Sequence, residues 1–196
     1  ASILIYRKHT NAYGIYAGSD FDIESATTQA KLQLGINEYT QIVQELTLSP
    51  VTARRHYWET GAMRWLSRNV VSIDRLDDFA NKFELSTTLA GGFILALKPK
   101  SMSDTKLRTL VKNASEQYAS KGLLIGSPKD TDRILNLAVE VAALVHIKQH
   151  AKELHGDGVA SSEVNGRLQA LRNELEAELK TSFLTTKWHF AGEVCQ

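Results

Sequence analysis

Gly92-Phe93-Ile94-Leu95-Ala96-Leu97, closed by Lys98-Pro99, is the stretch on which the fold turns. It is apolar without alternation. A strand with one wet face alternates apolar and polar side chains; a strand covered on both faces does not, and such strands belong to parallel sheets packed between helices. Gly122-Leu123-Leu124-Ile125 repeats the pattern. Between the two, Leu107, Leu110, Val111, Ala114 and Tyr118 fall at helical spacing behind a cap at Ser101 or Ser103. Strand, helix and buried strand in succession predict an α/β fold, with a small, mostly parallel or mixed sheet flanked by helices. Phe93, Ile94, Leu95, Leu97, Leu123, Leu124 and Ile125 are all expected to be buried.

The pattern extends both ways. Toward the N-terminus, Asp74 to Phe83 reads as a helix, Met63 to Val71 as a sheet strand, His56 to Gly61 as a helical turn and Val51 to Ala53 as a short strand. Toward the C-terminus, Gly126-Ser-Pro-Lys-Asp130 turns into a helix from about Thr131, apolar nearly all round from Ile134 to Ile147. After His155-Gly-Asp-Gly158, a last helix spans about Ser161 to Phe183, with the stripe Val164, Leu168, Leu171, Leu175 and Leu179. Ser49-Pro50 marks a boundary. Residues 1–48 form a smaller element: β-prone Ile3–Tyr6 and Ala12–Tyr16 around polar Arg7–Asn11 read as a hairpin. Ser19 with Asp22 reads as a capping box, Gly35 as a helix stop and Asn37 as the next cap. A hairpin followed by helices is what the tail of a winged-helix domain leaves. Residues 49–196 are expected to form the α/β domain. A lone hairpin is marginal, so residues 1–48 are expected to dock on the α/β part or to pair in a homodimer.

The 196 residues carry 23 Lys+Arg against 22 Asp+Glu, a net charge of +1, so no global bias argues for nucleic acid or a membrane surface. With Cys195 as the one cysteine, neither an intrachain disulfide nor a cysteine-based metal site is available. No apolar run reaches membrane-spanning length, and Ala1–Arg7 lacks the layout of a signal peptide, so a cytoplasmic location without membrane contact is expected. The chain opens without Met straight into a strand; it reads as cut from a longer polypeptide, with a processed N-terminus as the alternative.

Two stretches, Tyr6-Arg-Lys-His9 with Tyr13-Gly-Ile-Tyr-Ala-Gly-Ser-Asp-Phe-Asp22, and Ala53-Arg-Arg-His-Tyr-Trp-Glu-Thr-Gly-Ala-Met-Arg-Trp65, together resemble the region downstream of the nucleotide-binding core in large bacterial P-loop ATPases of the AAA+/STAND-like kind. The resemblance covers about the first third of the chain. It implies a winged-helix hairpin followed by an accessory domain of an ATP-dependent machine. The chain itself has no Gly-x-x-x-x-Gly-Lys-Ser/Thr loop, hence no phosphate cradle, and is not expected to hydrolyse ATP.

Chemistry-bearing residues are sparse. Ser127, Lys129 and Thr131 sit between a buried strand and a helix, where open α/β sheets place ligands, and form the anion-binding candidate; an ordinary βα loop is the alternative. Arg54, Arg55, Arg64 and Arg68 around Trp58 and Trp65 suit nucleic acid, or salt bridges within the domain. His146 and His150 are spaced i,i+4 but lack the glutamate of a zinc-protease helix, and His155 or Asp157 would have to complete a site; no metal or other cofactor is expected. Glu84, Lys98 and Asp104 are the nearest match to a nuclease carboxylate set. No catalytic residue is assigned. The reading is a noncatalytic interaction or sensor module from a larger bacterial ATP-binding protein, with a protein or its own polypeptide as partner. The alternatives are a metal-dependent hydrolase or nuclease, and a nucleic-acid-binding module built on the arginines.

Overall fold

In the computed structural model the described residues are 3–7, 11–16, 21–35, 39, 41–43, 48–99 and 101–195. Two compact units are present, one comprising residues 1–42 and 134–178, the other residues 43–133 and 179–196.

The second unit holds the expected mixed sheet. Its strands run β3 (Val51–Thr52), β4 (Trp65–Ser72), β5 (Leu89–Leu97), β6 (Leu123–Gly126), β7 (His189–Phe190) and β8 (Glu193–Val194), adjacent in that order. The pairs β4–β5 and β5–β6 are parallel; the outer pairs are antiparallel. Helix α2 (Arg54–Thr60) follows β3, and Gly61 ends it in the left-handed conformation. A 3-10 turn and α3 (Leu76–Lys82) connect β4 to β5; α4 (Asp104–Gln117) and a second 3-10 turn connect β5 to β6. Ser103, not Ser101, caps α4, its Oγ accepting from the Lys106 amide.

Burial on both faces of β5 follows from its sequence. Ile94 and Ala96 join Val71, Leu76, Leu107, Val111, Leu123 and Ile125 in one core. Leu95 and Leu97, pointing the other way by strand alternation, are also buried. Phe93 and Leu124 are half-buried rather than enclosed. Phe93 lies against Trp188, ring centroids 4.8 Å apart, and Trp188 against Phe183 at 5.5 Å. On α4, Leu107, Val111, Ala114 and Tyr118 are buried while Leu110, at the edge of the stripe, is exposed.

Polar groups tie the crossover helices together. The Lys121 ammonium donates to the carbonyls of Ala80 and Asn81, both at 2.7 Å, and of Phe83 at 3.3 Å, a cationic cap on the carbonyl end of α3. Tyr118 donates to Asp77 Oδ1 at 2.9 Å. Burial, then this carboxylate, push the Tyr118 phenol upward from its usual pKa. Buried Ser115 holds the β7–β8 turn: its Oγ accepts from the Gly192 amide at 3.0 Å and its carbonyl from the Ala191 amide at 3.1 Å. Ala191 and Gly192 both have positive φ, the two-residue hairpin turn whose twist matches its strands.

The first unit contains the expected hairpin, β1 (Ile3–Arg7) antiparallel to β2 (Ala12–Tyr16), as a two-stranded sheet. The rings of Tyr6 and Tyr13 meet at 5.2 Å. Helix α1 (Ile23–Gln33) is capped by Asp22, whose Oδ1 accepts from the Ser25 amide at 3.0 Å. The cap thus lies three residues later than the expected Ser19; Ser19 and Asn37 are outside the described residues. Helix α5 (Thr131–His150) buries Ile134, Ala138, Val141, Leu144 and Ile147, as its near-continuous apolar sequence requires. Helix α6 (Gly158–Thr185) buries Val164, Leu168, Leu175 and Leu179, with Leu171 half-buried. Arg167 on α6 joins Glu24 at 2.7 Å and Glu163 at 3.0 Å. Burial acts to lower the Arg167 pKa, and the bonds to the two carboxylates outweigh it, raising it. Among the described residues, no helix is long and apolar enough to cross a membrane.

Candidate functional site

A cleft of about 520 Å³ opens at the carboxyl ends of β5 and β6. Parallel strands present their last carbonyls and the following loops there, which is where open α/β sheets place ligands. The loop after β6 contributes Ser127, Pro128 and Lys129; α4 contributes Asp104, Leu107 and Arg108. The third wall is Thr185, Lys187 and His189, from the end of α6 into β7.

That third wall depends on a glycine. A Cβ on Gly126 would meet Thr186 Cγ2 at 2.4 Å and the Lys187 carbonyl oxygen at 2.9 Å. Only a residue without a side chain lets the Thr186–Trp188 segment lie against the end of β6. Buried Thr186 also donates from Oγ1 to the Ser127 carbonyl at 3.4 Å. The pairing of Ile125 with His189 completes the attachment.

The electrostatics of the cleft are one-sided. Arg108, Lys129 and Lys187 are exposed and have no ion pair or hydrogen bond among the described residues. Asp104 is the one carboxylate in the lining, and the Lys98 ammonium bonds it. That hydrogen bond and the charge of Lys98 hold Asp104 below the usual carboxylate pKa. Lys98 also donates to the Met102 carbonyl at 3.2 Å. The His189 Nδ1 atom is buried with no hydrogen-bond partner among the described residues. A buried ring nitrogen without a partner forfeits solvation, so a ligand or water that reached it would restore a hydrogen bond.

Of the anion-binding residues read from sequence, Ser127 and Lys129 line this cleft. Thr131 is buried at the first turn of α5 and is not part of the lining. Asp130 caps that helix, its Oδ1 accepting from the Arg133 amide at 2.9 Å. Arg108, Lys187 and His189 were not singled out by sequence; tertiary structure brings them in from two other elements.

The arginine group divides. Arg54, Arg55 and Arg64 are exposed, and Arg55 Nε bonds Glu59 at 2.8 Å. Arg68 instead donates from Nε to the Ser49 carbonyl at 2.7 Å and lies 5.6 Å from the Phe183 ring centroid. His146 and His150 stack at 4.2 Å, with His150 Nδ1 2.9 Å from the His146 carbonyl. Among the described residues, no three His, Cys, Asp or Glu side chains gather as a metal group, and the His155 side chain lies outside them. Of the nuclease-like set, Lys98 and Asp104 form the ion pair above, and Glu84 is exposed after α3. Cys195 is free and exposed.

No family model, curated protein or solved structure matches the chain.

Proposed function

We propose that this chain is a noncatalytic sensor or interaction module whose mixed-sheet unit binds a small anionic ligand, of phosphate or carboxylate type, in the cleft at the ends of β5 and β6. The observation that carries this reading is the charge imbalance of the lining. Three cations, none in an ion pair or hydrogen bond among the described residues, face one carboxylate, Asp104, whose charge Lys98 and, more weakly, Arg108 already offset, which leaves Lys129 and Lys187 in excess. Such an arrangement stores unfavourable like-charge repulsion that an anion relieves. Two Lys and one Arg, with Ser127 beside them, supply N–H and O–H donors in a hollow of ordinary small-ligand size. A single, ion-paired carboxylate supports binding over paired acid–base chemistry. The module is the accessory part of a longer bacterial ATP-dependent protein, as the Tyr6–Asp22 and Ala53–Trp65 stretches imply by resemblance, and ligand occupancy is reported to that partner polypeptide.

The test is thermal melting and amide NMR with inorganic phosphate and pyrophosphate, against sodium chloride at matched ionic strength. Saturable stabilisation is expected, about 2.7 kcal/mol at a ligand concentration one hundred times Kd. The shifted amides should include Ser127 and Lys129. A Lys129→Ala/Lys187→Ala chain should melt like the parent and lose the response. A response identical to chloride, or one that survives the double substitution, overturns the reading.

A further inference from the structure

We propose that α2 and the turn that follows it form a contact surface for a single-stranded polynucleotide, with Trp58 as the stacking platform and Arg54 and Arg64 as phosphate contacts. This surface shares no residue with the cleft, and the proposal stands independently of it.

Helix α2 buries none of its residues, so packing does not account for the two rings it carries. Trp58 is 83% exposed and Tyr57 47% exposed. An exposed indole is costly to leave in water and is a large, rigid, flat surface on which any base can lie. Arg54 and Trp58 are four residues apart on the helix, hence neighbours on one side of it. Among the described residues no cation or ring covers Trp58. At that exposure most of the ring surface is open to a ligand.

The charge around the ring selects the ligand. Arg54, Arg55 and Arg64 stand against Glu59 alone, and Glu59 is bonded to Arg55. Arg54, one helical turn from Trp58, and Arg64, whose carbonyl accepts from the Ala53 amide at 2.9 Å at the start of α2, remain as exposed cations on the segment that carries the open ring, complementary to a polyanion whose bases are accessible. A duplex keeps its base faces inside its own stack and would engage the arginines only. A single strand engages the ring and the arginines together. Arg68, directed to Ser49 and Phe183, takes no part.

The experiment is fluorescence anisotropy of the full chain with labelled oligo(dT) and oligo(rU), beside a duplex of equal length, at low and at physiological salt. Saturable binding of a single strand, tighter than of the duplex, is expected. Trp58→Ala should weaken it by about 5- to 150-fold, the range for loss of one base–aromatic stack. Trp58→Phe, which keeps a ring, should retain most of the affinity. Arg54→Ala should weaken binding and reduce the salt slope by about one. Trp58 and Arg54 are exposed, so each variant should melt like the parent. The proposal is overturned by absence of binding at low salt, by equal binding of the duplex, or by unchanged affinity in Trp58→Ala. It is overturned equally if polyglutamate displaces the strand at the same charge concentration, which would assign the surface to an acidic protein.

Discussion

The two units each contain a hollow, and the larger is the less promising. In the first unit a space of about 800 Å³ is lined by Asp22, Asp157, His146 and His150, among others. Two of the three acids in its lining, Glu153 being the third, already have work: Asp22 caps α1, and Asp157 Oδ1 accepts from the Val159 and Ala160 amides at 3.0 and 2.9 Å at the start of α6. Its histidines lie against each other, one bonded to the other's carbonyl. In the second unit the cleft is smaller, yet among the described residues Lys129 and Lys187 are uncommitted and His189 carries an orphaned nitrogen. Volume does not separate the two. What separates them is the pair of lysines without a bonded partner among the described residues, beside the orphaned buried nitrogen, that face the smaller one.

That contrast is open to direct attack. The largest effect is expected beneath the cleft. Leu95 is fully buried and lies in register with Gly126. Leu95→Ala should cost roughly 2–5 kcal/mol in urea denaturation. A loss below about 1 kcal/mol would show that β5 is not the packed strand described above. Next is Gly126→Ala, which forces a methyl into Thr186 and the Lys187 backbone. Roughly 1–3 kcal/mol of destabilisation is expected, together with loss of the phosphate response. Asp157→Ala should cost about 1 kcal/mol through the lost helix cap and leave the phosphate response intact. A lost response there would break the distinction between the hollows. The smallest effect concerns Asp104. Its pKa is depressed in the folded chain, so its contribution to stability is present above the ordinary carboxylate range and disappears as pH falls through the lowered value. Asp104→Asn should remove that acid-side dependence from the melting curve. It should also tighten anion binding a few-fold at neutral pH, because the lining loses its one negative charge.

Much of this fold was legible in the sequence because the decisive residues act locally. The unbroken apolar runs of β5 and β6 announce burial on both faces, and the spacing along α4 and α6 marks the inward sides of those helices. The hairpin β1–β2 was legible from its two β-prone runs around a polar tip. The strands β7 and β8 were not: two residues each give no periodicity, and the turn Ala191-Gly192 is held by Ser115 from α4, a contact no local rule reports. The cleft was half legible for the same reason. Ser127 and Lys129 follow a strand end and are found by position in the βα unit. Lys187 and His189 lie far along the chain and arrive only because Gly126 admits the segment that carries them. Asp22 rather than Ser19 caps α1; the two stand three residues apart and are both favoured cap types, between which sequence alone does not choose.

The separation of β6 from β7 along the chain also sets an order of assembly. β3 to β6 and their crossover helices are contiguous, so their contacts close short loops and can form as soon as those residues leave the ribosome. Lys187 and His189 must wait for all of α5 and α6 to be synthesised. The cleft is therefore completed late, with only β8 of its unit's strands still to follow His189 and Phe190. A nascent chain stalled before Thr185 would carry a nearly complete sheet with one edge unpaired and no third wall. That interval is when β6 is most open to pairing with another molecule.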